Sequence, residues 1–121
     1  MSIRLAAITV DCGDALAVAR FWSAALDRPL AADPAPSEDI ALIGDLGDAA
    51  PAAPNWLFCK VPEGKTAKNR MHVDMVAADR PAEVARLVDL GATRVADKDE
   101  WGHVWTVLQD PEGNEFCVAS S

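Results

Sequence analysis

The second half of this chain repeats the pattern of the first. A gap-free shift of 65 positions carries Asp14 onto Asp79, Ala19 onto Val84, Trp22 onto Leu87 and Ala7 onto His72. Identity across the shift is low, but the order of patterns is the same in both copies. An apolar, β-branched stretch runs into an acidic residue, then into a helical periodicity, then into further strand-like segments. A repeat of that kind predicts two similar modules, about residues 1–64 and 69–121, within one domain spanning 1–121.

In the first module, residues 3–12 read as a strand, with Ile8 and Val10 on one face and Ala7, Thr9 and Asp11 on the other. Asp14 can cap a helix from Ala15 to Leu26, where Leu16, Ala19, Phe21, Trp22, Ala25 and Leu26 recur at helical spacing. Trp22 therefore belongs to the core. After the breaker cluster 33–37, residues 40–43 and 55–61 read as strands around a Gly, Ala and Pro-rich loop, 44–54, expected to be mobile.

The basic connector 65–70 leads to a second strand at 71–77. Asp79 can cap a helix with Pro81 in its first turn, an apolar stripe of Val84, Leu87 and Val88, and Gly91 at its end. Residues 92–96, 104–108 and 115–119 read as strands, the last two joined by the turn Asp110-Pro111-Glu112-Gly113-Asn114. Each module is thus strand, helix and up to three strands, an α+β arrangement.

Composition removes several classes of function. Half of the 121 residues are hydrophobic and a quarter charged, and no apolar run reaches the length of a membrane span. A net charge of −8 repels phosphate backbones and anionic lipid, so neither nucleic acid nor membrane is an expected partner. Residues 1–8 lack the pattern of a signal peptide, and Cys12, Cys59 and Cys117 are odd in number and widely spaced, as suits reduced thiols. A cytoplasmic location is the expectation.

Three segments carry a family resemblance: Val10-Asp11-Cys12-Gly13-Asp14 followed by Phe21-Trp22; Lys68-Asn69-Arg70-Met71-His72-Val73-Asp74; and Asp110-Pro111-Glu112-Gly113-Asn114-Glu115-Phe116-Cys117. Together they resemble a glyoxalase-like domain of the vicinal oxygen chelate superfamily, particularly its actinobacterial-type branch. The resemblance implies tandem βαβββ modules whose curled mixed sheets form a cleft, and pairing as a homodimer. In metal-dependent members it also implies a divalent ion held by the first and last strands of each module, commonly through His or Gln and Glu. Carried onto this chain, the first-strand positions are Ala7 and His72, and the last-strand positions fall on Cys59 and Cys117. Three of those four depart from the superfamily's set, which disfavours ordinary glyoxalase I chemistry.

Several candidate groups remain. His72 and Asp74, two apart on one strand, should share a face with the counterparts Thr9 and Asp11, giving a general base and an orienting carboxylate. A structural hydrogen-bond network is the bland alternative. Glu115 should share the face of Cys117 and supply an acid, a base or a replacement carboxylate, unless it is a solvent-facing residue after a turn. Cys59, His72 and Cys117 offer donors that suit zinc, although two thiols filling a core explain them as well. Lys65, Lys68 and Arg70 with Asn69 can hold an anion or merely pair with local acids. Trp56, Trp101 and Trp105 can line a ligand cleft, and His103 reads as an exposed loop residue.

The reading these observations favour is a binder of a small anionic organic molecule. His72, Asp74 and Glu115 are its catalytic candidates, and Thr9, Asp11, Trp56, Cys59, Arg70, Trp105 and Cys117 its ligand contacts, with acid–base chemistry and no metal. The alternatives are a metal-dependent lyase, isomerase or dioxygenase using zinc or a similar divalent ion, and a non-catalytic antibiotic-sequestering or sensor protein.

Overall fold

The computed structural model describes residues 3–121, so the Met1-Ser2 part of the signal-peptide reading lies outside the described residues. The chain divides into two compact units between Gly64 and Lys65, and the connector 65–70 belongs to the second.

The first unit contains β1 (Ile8–Cys12), α1 (Ala15–Leu26), β2 (Ile40–Ile43) and β3 (Trp56–Lys60), in the sheet order β1-β3-β2. β1 and β3 pair in parallel, β2 and β3 antiparallel. The Asp14 carboxylate caps α1 by accepting from the Ala17 amide at 3.1 Å. Ala19, Phe21 and Trp22 of the predicted stripe are buried together with Ala15 and Val18, which the periodicity did not single out, while Leu16, Ala25 and Leu26 are half-buried. Trp22 stacks on Trp56 with centroids 4.9 Å apart, and Trp56 stacks in turn on Phe58. Burial of large apolar side chains of this kind contributes about 1.5–3 kcal/mol each relative to exposure.

One expectation needs correction here. The strand begins at Ile8 rather than residue 3, because its partner offers no ladder further back: Ile8 N–H donates to the Asn55 carbonyl, and Pro54 and Pro51 precede it. The loop 44–54 is pinned at its base. The buried Asn55 side chain donates to the Ala6 and Asp45 carbonyls and accepts from the Asp45 amide, at 3.0–3.1 Å. Gly44 is required beside it, since a Cβ there would lie 2.0 Å from Asn55 Oδ1 and its φ is 115°.

The second unit contains β4 (Asp74–Ala77), α2 (Arg80–Leu90), β5 (Thr93–Glu100), β6 (His103–Gln109) and β7 (Glu115–Ser120), ordered β4-β7-β6-β5. β4 and β7 are parallel; the other neighbours are antiparallel. Val84 and Leu87 are buried, but Val88, expected in the same stripe, is 41% exposed. β5 and β6 run longer than predicted because Trp101 (φ 54°) and Gly102 (φ 76°) form a two-residue turn with positive φ at both positions, which fits a twisted hairpin. Asp110 is buried and closes the last turn, Oδ1 accepting from the Glu112 and Asn114 amides at 2.9 Å.

The repeat is visible in the pairing. β1, β3 and β2 occupy the places of β4, β7 and β6, and the isolated bridge between Leu30 and Ile43 stands where the first module's additional strand would pair. Both sheets are mixed, and no helix is long and apolar enough to cross a membrane among the described residues.

Candidate functional site in the second unit

Strand pairing places the polar candidates in rows across one face of the second sheet. Asp74, Cys117, Val107 and Ala96 are successive neighbours from β4 to β5, and Val76, Ala119, Trp105 and Lys98 form the next row. Glu115 precedes Cys117 by two residues and so lies on the same face, while Phe116 and Val118 alternate to the buried side against α2. These rows line a cleft of about 680 Å³ that also takes in His72, Lys68, Trp101 and His103. That volume is in the range of small-molecule sites, about 300–1,000 Å³.

His72 lies just ahead of β4, which begins at Asp74 and not at residue 71 as expected, since the ladder to β7 starts only with the Cys117 amide donating to the Val73 carbonyl. His72 Nδ1 is 3.4 Å from Asp74 Oδ1, within ion-pair reach, and both side chains face solvent. Cys117 is a buried free thiol beside them, and its side chain hydrogen-bonds Asp74. Burial pushes the Cys117 thiol up, and the negative charge of Asp74 adds to the effect, so it stands as a protonated donor near neutrality.

Glu115 is differently placed. Lys68 Nζ donates to Glu115 Oε2 at 2.8 Å, and Asn69 Nδ2 donates to the Glu115 carbonyl at 3.2 Å. The Lys68 hydrogen bond and charge hold the Glu115 carboxyl below the usual carboxylate range. The basic connector is thus tied to β7, and Lys65 Nζ donates to the Ala67 carbonyl. Arg70 is exposed on that connector and is not among the residues lining the cleft.

The sequence profile of the glyoxalase-like domain matches residues 7–119. The chain belongs to the glyoxalase-like domain family. Its fold is that of the vicinal oxygen chelate superfamily. It is similar to a glyoxalase/bleomycin resistance protein/dioxygenase family enzyme from Burkholderia phytofirmans, with a TM-score of 0.74 over 98% of both chains at 15% identity. A glyoxalase-related enzyme from Fulvimarina pelagi is similar over 98% of this chain and 88% of its own, with a TM-score of 0.71 and 17% identity. The fosfomycin resistance protein FosX from Mesorhizobium loti is similar over 100% of this chain and 94% of its own, with a TM-score of 0.70 and 13% identity. No curated protein matches the sequence.

In this glyoxalase-like chain the pairing register moves one of the sequence assignments. Thr9 opposes Leu57 in the first unit as Asp74 opposes Cys117 in the second, so the counterpart of Cys117 is Leu57, not Cys59. Cys59 pairs with Asp11, and its carbonyl accepts from Cys12 Sγ at 3.4 Å. Thr9 and Asp11 are exposed on β1, as the alternation predicts. Trp56 does not present its ring to a ligand: it is buried between Trp22 and Phe58.

The described residues do bring three donors together, but with Asp74 in the place given to Cys59. A ring nitrogen of His72, a carboxylate oxygen of Asp74 and Cys117 Sγ all lie within 4.8 Å of one another. Nitrogen, oxygen and sulfur donors in that number fit a zinc-type ion with an open position.

A second hollow of about 640 Å³ lies between α2 and β5. Three of its charged groups are tied together: Arg80 Nη1 donates to Thr106 Oγ1 at 2.6 Å, Thr106 Oγ1 donates to Asp97 Oδ1 at 2.7 Å, and Arg94 pairs with Asp97. Sequence reasoning missed this network because Arg80 and Thr106 are 26 positions apart with no local signal between them.

Proposed function

We propose that the cleft of the second unit binds a small organic molecule and acts on it by acid–base chemistry, with His72 as the proton carrier and Asp74 as its positioning residue. The observation that supports this most directly is the 3.4 Å approach of His72 Nδ1 to Asp74 Oδ1 within the cleft. With Nδ1 turned to the carboxylate, Nε2 is left to take a proton from the ligand or return it. The Cys117 thiol hydrogen-bonds Asp74 and helps fix its orientation. Glu115, ionised and paired to Lys68, serves as a polar wall and not as a proton donor.

The clustering of donors from His72, Asp74 and Cys117 favours a second reading, a metal-dependent lyase, isomerase or dioxygenase. When bound, a divalent ion would supply Lewis-acid polarisation of a ligand oxygen. Because the Cys117 thiol is held protonated, metal uptake would release a proton and tighten as pH rises.

His72→Ala is expected to leave circular dichroism and the melting profile nearly unchanged, since the side chain is 47% exposed, while abolishing ligand binding or turnover. A variant that unfolds would identify a structural network instead. Elemental analysis of untagged, chelator-free protein separates the two readings. Near one equivalent of a transition metal, lost in Cys117→Ser, supports the metal reading; none, with binding intact, supports the acid–base one. Tight binding without turnover would mark a sequestering or sensor protein.

A further inference from the structure

We propose that the ligand of this cleft is a planar conjugated molecule bearing one anionic group, its ring stacked on the Trp101–Trp105 pair and its anion at Lys98. The inference rests on the cleft being the binding site and narrows what it accepts.

The two indoles are 6.3 Å apart between centroids and only 13° from parallel. Trp101 is 84% exposed, and the positive-φ turn it makes with Gly102 places it at the hairpin tip. With Trp105 stacked against it, Trp101 still presents an open indole to solvent, and a flat conjugated ring laid on it gains stacking beyond the area it buries. Val76, Val95 and Val107 supply the apolar wall around it.

Charge fixes the orientation. Lys98 opposes Trp105 directly in the β5–β6 pairing and lines the cleft, and it makes no ion pair or side-chain hydrogen bond among the described residues. The cleft's other ammonium, Lys68, is taken by Glu115 at 2.8 Å. An anion is therefore held at the tryptophan end. The Asp74–Cys117 row is one step away along the strands, about 7 Å, and Asp74 is two strands across from Trp105, about 10 Å. That diagonal is about 12 Å, longer than a fused bicyclic ring, so a ring seated on the tryptophans reaches His72 and Asp74 through a substituent on its far edge.

Calorimetric titration of the full chain with naphthoate and with decahydronaphthoate tests this, since the pair shares a carboxylate and similar size but only one is planar. Naphthoate is expected to bind about three- to tenfold tighter. Trp101→Ala and Trp101→Leu should remove that preference, and Lys98→Met should weaken both probes. Equal affinities, or a preference that survives loss of Trp101, would overturn the planar-ring inference while leaving the cleft as the site. Binding unaffected by any of Trp101→Ala, Lys98→Met and His72→Ala would overturn the inference and the cleft reading together. Failure of naphthoate to bind at all overturns the inference alone when other fragments still bind in a His72-dependent way.

Discussion

Two carboxylates of the second unit are held ionised by their neighbours and tie its stability to pH in the same sense. The Thr106 hydroxyl hydrogen bond, helped by Arg94 and Arg80, lowers the pKa of Asp97, and Lys68 lowers that of Glu115. A lowered folded-state value means stabilisation that is complete above the unfolded carboxylate range and is lost as pH falls from about 5 through the folded values. Glu115→Gln and Lys68→Met should therefore each flatten the fall of the melting temperature on the acid side, as should Asp97→Asn, and added salt should reproduce part of the effect in the native chain. An unchanged acid limb in all three variants would show that these pairs carry no linkage. At this scale the pairs His72 with Asp74 and Glu115 with Cys117 were legible from strand alternation, while their meeting on one face comes from the register of β4 on β7. The core role of Trp56 was not, since an aromatic residue entering a strand gives no sign of which face α1 will cover. Lys98 was missed for a related reason: the hairpin extends past residue 96 by virtue of its turn, which sequence periodicity does not show.

The two helices start on equivalent caps. Asp14 accepts from the Ala17 amide at 3.1 Å and Asp79 from the Ala82 amide at 3.2 Å. Replacing either by Ala should cost about 1 kcal/mol in denaturant unfolding, and Asn should recover most of it. A loss near zero at one site would mean that this helix end is satisfied by other partners. Helix positions were readable because cap, periodicity and Gly91 agree; the bounds of α1 are those the spacing predicts. Strand ends were not, because they depend on a partner strand distant in sequence. β1 begins only where its partner has cleared Pro54, and β4 begins only where β7 reaches it. The same long-range register separates Leu57 from Cys59 as the counterpart of Cys117, a distinction no local pattern carries.

For the whole molecule, membership in the glyoxalase-like family accounts for the fold and leaves the chemistry to the site. Proteins similar to this chain range from fosfomycin resistance proteins to an oxidase. The central claim is that the cleft on the second sheet receives the ligand at the His72–Asp74 end. The chain has only His72 and His103, and both line that cleft, one beside Asp74 and one opposite Glu100 at the hairpin tip. The imidazole nitrogen spectrum of uniformly labelled protein thus holds two ring systems, and Asp74→Asn identifies His72 by shifting it. Recorded across a small-molecule fragment screen, that spectrum should show binders moving the His72 ring signals, with those reaching the tryptophan pair moving His103 as well. Fragments that bind the chain while leaving both rings unmoved would contradict the claim.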